Sequence, residues 1–169
     1  MRKLPMIAAV VMATACAPAL AQQGGFDPQR LYFGGGGSFN EVSGSDEGVG
    51  LQIFGGYQFG EVAPNIHIDA EVGYMQTGDM EVCATVPAFG RICEDTEAKG
   101  LWATGVGRLI INPKFELLAR AGLDFGDDDG FMFGIGGGYN VTQQLKLRAE
   151  YVERDEVSSV QFNVVFKPN

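Results

Sequence analysis

The sequence of 169 residues is poor in the side chains on which most catalysis and metal binding depend. It contains one histidine, one tryptophan and three cysteines. No serine and acid stand at a spacing from His67 that suggests a hydrolase. We therefore predict that the protein is not an enzyme and has no catalytic residue, metal ligand or cofactor, and we interpret His67 as a polar residue beside Asp69.

Positive charge is also scarce. The chain has 12 Lys and Arg against 21 Asp and Glu, which gives a formal net charge of −9. This balance argues against nucleic acid as a partner, because neutralising phosphates requires Lys and Arg.

Long apolar runs are absent as well. The apolar run over residues 4–15 is about a dozen residues long, whereas a membrane-spanning helix needs roughly 20. Arg2 and Lys3 precede this run, and Ala19-Leu20-Ala21 follows it as a small-residue cleavage site. This pattern predicts a signal peptide over residues 1–21 and one mature domain over residues 22–169. The alternative is a lipoprotein signal at Cys16, which has Ala instead of the favoured Leu three residues earlier.

Cleavage at this site leaves two cysteines, Cys83 and Cys93. An even pair ten residues apart in an exported chain indicates a disulfide that closes a loop. A zinc site is the alternative, but two cysteines without a nearby histidine are a poor ligand set.

What the sequence does contain is an alternation of apolar and polar residues with a period of two, together with 25 Gly and 12 Phe. Alternation of this kind predicts strands whose two faces meet different environments. We predict eight strands of about 9–11 residues, the length that a tilted strand needs to cross a bilayer. They cover residues 31–40, 49–59, 66–75, 101–111, 115–125, 131–141, 145–153 and 157–166.

Short turns and longer acidic loops alternate between these strands. The turns cover residues 60–65, 112–114 and 140–144, and the longest loop covers residues 76–100. This alternation predicts an all-β, eight-stranded antiparallel transmembrane β-barrel with an up-and-down meander. All the long loops would then lie at one end of the barrel and all the tight turns at the other. In such barrels the short turns are periplasmic, so the termini are expected there and the acidic loops outside the cell.

Aromatic residues indicate which face of the strands meets lipid. On one face they fall near the two ends of the predicted barrel, as the interfacial belts of membrane barrels do. The turn-end set is Phe33, Phe59, Phe115, Tyr139 and Phe166, and the loop-end set is Phe39, Tyr74, Phe125, Phe131 and Tyr151. A soluble barrel with an apolar cavity is the alternative, since periodicity does not tell which face points inward.

The opposite face carries charges, and we predict that they form a network in the lumen. Its members are Glu71, Arg108, Arg120, Lys146, Arg148 and Glu150. An eight-stranded barrel is just wide enough to be filled by side chains, and unpaired buried charges are costly. We interpret the network as a plug, and the alternative is a narrow path for ions or small solutes, as in porins.

Carboxylates dominate the predicted loop end. They are Asp46, Glu47, Asp79, Glu81, Glu94, Asp95, Glu97, Asp127, Asp128, Asp129, Asp155 and Glu156. A solvated, repulsive rim is one interpretation. The alternatives are a weak Ca²⁺ or Mg²⁺ site and divalent ions that bridge the rim to lipopolysaccharide phosphates.

Two motifs resemble a known family. The segment Ile53-Phe54-Gly55-Gly56-Tyr57-Gln58-Phe59, followed by Ile66-His67-Ile68-Asp69-Ala70-Glu71-Val72-Gly73-Tyr74, is similar to consecutive strands of OmpA-type eight-stranded outer-membrane barrels. So is Gly136-Gly137-Gly138-Tyr139-Asn140-Val141-Thr142 with Leu147-Arg148-Ala149-Glu150-Tyr151. The resemblance covers essentially the whole mature chain. It implies residence in the outer membrane of a Gram-negative bacterium but no single shared activity.

The chain departs from this family in two ways. Lys167-Pro168-Asn169 follows Phe166, where family members usually end on an aromatic residue read by the barrel-insertion machinery. We expect no peptidoglycan-binding domain after the barrel, so an anchoring role does not carry over. We expect a monomer with a structural or surface-interaction role in the cell envelope. Its expected partners are outer-membrane lipid, lipopolysaccharide and the insertion machinery.

Overall fold

A computed structural model describes residues 26–42, 48–78, 80–86, 90–96, 99–127, 129–155 and 157–168, with residues 80–86 and 90–96 described through their backbone pairing. After a short 3₁₀ helix (Pro28–Arg30) come ten strands: β1 (Leu31–Val42), β2 (Gly48–Ala63), β3 (Ile66–Gln76), β4 (Met80–Val86), β5 (Gly90–Thr96), β6 (Lys99–Ile110), β7 (Phe115–Asp124), β8 (Gly130–Asn140), β9 (Leu145–Glu153) and β10 (Val157–Phe166). Within these ranges no helix is long and apolar enough to cross a bilayer.

Eight of the strands form a closed antiparallel barrel in the order β1-β10-β9-β8-β7-β6-β3-β2. Pairing of β1 with β10, from Phe33 opposite Phe166 to Val42 opposite Val157, closes the barrel. Closure gives every barrel strand two hydrogen-bonded neighbours, which is the way a sheet satisfies its backbone groups in hydrocarbon. The predicted fold class is confirmed.

The region predicted as a long loop contains two further strands. β4 and β5 pair only with each other and form a separate two-stranded sheet, so β6 pairs with β3 in the barrel. Cys83 lies directly opposite Cys93 in this hairpin.

β2 is longer at its turn end than predicted. Its pairing with β3 shifts register between Gln58 and Gly60 and again between Glu61 and Ala63. Gly60 has a φ of +113°, a conformation that side chains disfavour and that occurs at bulges. The two irregularities let the strand continue past the predicted end at residue 59.

Burial alternates along the barrel strands and separates two surfaces. On β7, Glu116, Leu118 and Arg120 are buried. Leu117, between the first two of these residues, and Leu123, further along the strand, are exposed. All ten aromatic residues of the two predicted belts are exposed on the outer face. The outer wall is therefore apolar and the lumen is polar, the reverse of a soluble barrel with an apolar cavity.

Glycines on the inner face make room for large side chains in the lumen. A Cβ added to Gly34 would lie 2.3 Å from the ring of Phe54, and one on Gly73 would lie 2.5 Å from the ring of Trp102. Contacts this short do not occur, so the rings occupy the space that a side chain at either glycine would need. This allows a narrow barrel to hold aromatic residues beside its charges.

Candidate functional site

Four charged side chains meet in the middle of the lumen. Glu71 binds Arg148 at 2.5 Å and Arg120 at 3.0 Å, and Glu150 binds the same two arginines at 3.0 and 2.7 Å. None of the four side chains is more than 2% exposed. We call these four residues the central charge cluster.

The barrel geometry brings the central charge cluster together from three strands. Glu71 lies on β3, Arg120 on β7, and Arg148 and Glu150 on β9. β3 and β9 are four strands apart in either direction around the barrel, so the Glu71–Arg148 ion pair spans the full width of the lumen. The cluster therefore crosses the interior instead of lining its wall.

An aromatic pair lies against the two arginines. The guanidinium carbon of Arg120 lies 5.2 Å from the centre of the Trp102 ring, and that of Arg148 lies 5.4 Å from the centre of the Phe54 ring. The two rings are 5.8 Å apart. Cation–π attraction is stronger where the cation is desolvated. The same buried group of apolar residues includes Tyr32, Phe54, Met75, Trp102, Met132, Val152 and Val165.

A second group of charges lies nearer the turn end. Arg108 binds Asp69 at 2.6 Å and Glu116 at 3.1 Å, and Lys146 binds Glu116 at 2.5 Å. The Tyr32 hydroxyl contacts both groups: it donates to Glu71 at 2.6 Å and lies 3.3 Å from Asp69. The two groups thus form one continuous network.

Toward the loop end the lumen is held by one more ion pair and by amides. Arg154 binds Asp124 at 2.9 Å and donates to Ser159 at 2.9 Å. Gln52 donates to Gln161 at 2.7 Å and to Asn163 at 2.8 Å. Across the whole lumen, five carboxylates (Asp69, Glu71, Glu116, Asp124, Glu150) face five cations (Arg108, Arg120, Lys146, Arg148, Arg154). The described lumen is therefore neutral, although the chain carries a charge of −9.

Two cavities open at the ends of the lumen. The one at the turn end, beside Tyr32, Asp69 and Lys146, has a volume of about 40 Å³, enough for very few water molecules. The one at the loop rim, beside Asn40, Arg154 and Ser159, has a volume of about 310 Å³. The central charge cluster lies between them.

The structure brings all six residues of the predicted lumen network into ion pairs. The network named from the sequence did not include four further charged members, Asp69, Glu116, Asp124 and Arg154, or the hydroxyl of Tyr32. Tyr32, Asp69, Glu116 and Asp124 stand on the inward-facing alternation of their strands, and Arg154 continues the alternation of β9 one residue past its end, so the period of two identifies all of them as inward-facing. His67 is half-buried at the turn end, opposite Arg108.

Lys167, which follows the last strand, is part of the turn-end structure. Its backbone N–H donates to the Gln144 carbonyl at 2.8 Å, and its ammonium donates to the Gln58 side chain at 2.8 Å. The residue that departs from the family pattern therefore links β10 to β2 across the mouth of the barrel.

Several predicted features lie outside the described residues. They are the signal peptide, much of the acidic loop end, and the side chains of Cys83 and Cys93. In the part of the chain that the structure describes, no group of three or more His, Cys, Asp or Glu is arranged to hold a metal ion.

Comparison with known proteins gives one family and a set of similar folds. The family model for the outer membrane protein beta-barrel domain matches residues 7–166. A de novo designed transmembrane β-barrel superposes with a TM-score of 0.56 at 19% identity, covering 85% of this chain and 98% of the design. A second design, TMB2.3, gives 0.52 at 17% identity, covering 83% and 94%. The Yersinia pestis outer membrane protein Ail in a bilayer nanodisc gives 0.50 at 14% identity, covering 80% and 97%.

These structural likenesses are too distant in sequence to carry more than the fold. The comparison with curated proteins gives no match.

Proposed function

Because the chain belongs to the outer membrane protein beta-barrel domain family, we propose that it is a non-enzymatic structural protein of the Gram-negative outer membrane that presents its loops for surface interaction. The observation that carries this proposal is the lumen, in which five carboxylates and five cations neutralise one another across the barrel. A lumen filled in this way supports the wall as a core does and leaves recognition to the loops.

Energetics favour this role over a channel. To open a path, the Glu71–Arg148 pair would have to separate, together with the Arg120 contacts on either side. Breaking a buried pair so that one charge stays uncompensated costs about 3–5 kcal/mol. Several such pairs lie in series along the lumen, so an ion would have to displace them one after another.

The proposed orientation has the termini in the periplasm and the acidic loops outside the cell. Its support is the contrast between short turns, such as residues 111–114 and 141–144, and the β4–β5 hairpin at the opposite end. Outer-membrane barrels keep their short turns periplasmic and their longer loops external. In this orientation the partners are outer-membrane lipid, lipopolysaccharide and the barrel-insertion machinery, and the protein acts as a monomer.

We propose that a Cys83–Cys93 disulfide stabilises the displayed hairpin. The two residues are direct partners across β4 and β5, the relation in which side chains of neighbouring strands come closest together. A two-stranded hairpin is marginally stable in water, so a covalent link would hold its strands together.

A planar-bilayer recording tests the plugged lumen. The wild-type protein is expected to show no sustained conductance, whereas a double variant, Arg120→Ala with Glu71→Ala, removes two side chains that cross the lumen and is expected to conduct. Gly137→Leu, on the outer wall, is the matched control and should behave as wild type. Sustained steps from the wild-type protein would favour the channel instead.

Orientation is tested separately on intact cells. An epitope inserted between β4 and β5 should bind antibody without permeabilisation, and the same epitope placed after Asn169 should require it. The opposite pattern would invert the proposed topology without affecting the lumen result.

A further inference from the structure

The small cavity at the turn end of the lumen carries more positive than negative side chains on its walls. Its charged lining residues are one carboxylate and four cations, namely Asp69, Arg108, Lys146, Arg148 and Lys167. The volume of about 40 Å³ holds about three water molecules at roughly 10–15 Å³ each. The cavity therefore has room for a small ion with one or two water molecules.

Most of the positive charge around the cavity is neutralised within the protein. The turn-end group holds two cations and two carboxylates that bind one another, which are Arg108, Lys146, Asp69 and Glu116. Arg148 belongs to the central charge cluster, which holds two carboxylates for two arginines. The cation left over is Lys167.

The charge of Lys167 has no carboxylate partner among the described residues. Its ammonium donates to the side-chain oxygen of Gln58 at 2.8 Å, and this amide is neutral. An ammonium carries three donors, so two remain for another acceptor. Glu61, the carboxylate of β2, is exposed, accepts from the Asn65 N–H at 2.9 Å and does not line the cavity. The half-buried Lys167 thus brings one positive charge to the cavity that the protein does not neutralise.

A buried donor on the wall of the same cavity also lacks a partner. Arg148 lines the cavity, and its side chain is 2% exposed. Its terminal nitrogens bind Glu71 and Glu150, but its Nε has no hydrogen-bond partner in the described part of the chain. Leaving a buried N–H unpaired is costly, so an acceptor in the cavity is favoured. Water satisfies the donor but not the charge of Lys167, whereas an anion satisfies both.

We infer that the turn-end cavity binds one small monovalent anion of the size of chloride. The anion accepts from the ammonium of Lys167 and reaches the Nε–H of Arg148 directly or through one water molecule. It supplies the single negative charge that the side chains around the cavity lack. The central charge cluster closes the cavity on its inner side, so the anion is bound at a dead end and is not conducted.

Chloride NMR measures this binding directly. The chlorine nucleus is quadrupolar, so its resonance broadens when the ion exchanges through an ordered protein site. The wild-type barrel is titrated in micelles of an uncharged detergent, and protein-free micelles give the blank. Sodium gluconate keeps the ionic strength constant, because gluconate is too large for the cavity. We expect an excess line width that bromide, which has the same charge and a similar size, removes by competition.

Lys167→Gln tests the placement of the anion. The variant keeps a hydrogen-bonding side chain but removes the charge, and it should weaken chloride binding by at least about tenfold, the effect of losing one hydrogen bond to a charged group. Lys114→Gln is the matched control. Lys114 is exposed in the neighbouring turn at the same end of the barrel and does not line the cavity. This variant removes the same charge and should keep the wild-type line width.

The urea midpoint of the wild-type barrel gives a second measurement that needs no variant. An ion that binds the folded barrel and not the unfolded chain raises the midpoint as its concentration increases. The midpoint should therefore be higher in chloride than in gluconate at the same ionic strength. Lys167→Gln should lose this difference, and Lys114→Gln should retain it.

A wild-type line width equal to that of the protein-free micelles, or equal midpoints in chloride and gluconate, would overturn the anion site. Equal losses of line width in Lys167→Gln and Lys114→Gln would overturn its placement in the cavity, because they would show general attraction to the positive charges of the turn end. Both measurements are made in micelles, so their outcome is independent of the conductance and orientation results.

Discussion

Glu71 is the residue whose replacement should affect the barrel most, because three buried groups depend on its carboxylate. It accepts hydrogen bonds from the hydroxyl of Tyr32 at 2.6 Å, from Arg148 at 2.5 Å and from Arg120 at 3.0 Å. Glu71→Gln keeps the size of the side chain and removes its charge. The two arginines are then left with Glu150 as their only carboxylate in the central charge cluster.

The expected cost follows from this imbalance. Removing one partner of a buried pair destabilises a protein by about 3–5 kcal/mol, because the remaining charge stays buried without compensation. At about 1.4 kcal/mol for each factor of ten, this corresponds to a reduction of about two to three and a half orders of magnitude in the folding equilibrium constant. Adding Arg148→Met removes the excess cation, so the double variant should be less destabilised than the sum of the two single variants, by about 0.5–3 kcal/mol.

Urea titration of the barrel in detergent micelles, followed by the fluorescence of Trp102, measures these free energies. Glu153→Gln is the control, since Glu153 is exposed on the outer face and its recorded contact is with Tyr151. An exposed change of this kind should alter stability by no more than about 0.5 kcal/mol. If Glu71→Gln costs less than about 1 kcal/mol, the lumen charges do not stabilise one another as argued.

Three further outcomes follow from the packing. Gly136→Ala should destabilise the barrel by about 1–3 kcal/mol, because its Cβ would lie 2.4 Å from the Ala149 carbonyl, whereas Gly137→Ala, with 3.6 Å of room, should be nearly neutral in the same titration. Cys83 and Cys93 should fail to react with a thiol reagent until reduced, as read by mass spectrometry, and immediate labelling would rule out the disulfide. Iodide in the buffer should not quench Trp102, which is 1% exposed; strong quenching would mean that the lumen admits solvent ions.

Alternation of side chains along each strand is a local property, and it predicted the parts of the fold that depend on local geometry. The last strand, Val157–Phe166, has the predicted bounds. On β7, Arg120 of the predicted lumen network is buried together with Glu116 and Asp124 on the same alternation, and Leu117 points outward. Successive residues of a strand must point to opposite faces, so the composition of the two faces can be read without knowledge of the partners.

The β4–β5 hairpin was missed because its acidic and turn-forming residues were interpreted as a loop. The alternation Val82, Ala84 and Val86 in β4 was present in the sequence, but the segment makes no contribution to the barrel wall. Its pairing with β5 through residues on both sides of Cys83 and Cys93 appears only in the register. A short hairpin outside the barrel lacks the length that made the other strands recognisable.

The number of wall strands and the composition of their two faces follow from the order of residues, because the pleat repeats every two residues wherever the strand lies. The aromatic belts then mark which face meets lipid. The identity of the partners does not follow from that order. Glu71 meets Arg148 because closure puts β3 and β9 on opposite sides of a narrow ring, and Gly55 lies beside Val72 and Ala103 because the pairing register puts them at one height. These side-chain contacts depend on how the sheet curves and closes on itself. The sequence of one strand alone does not determine that closure.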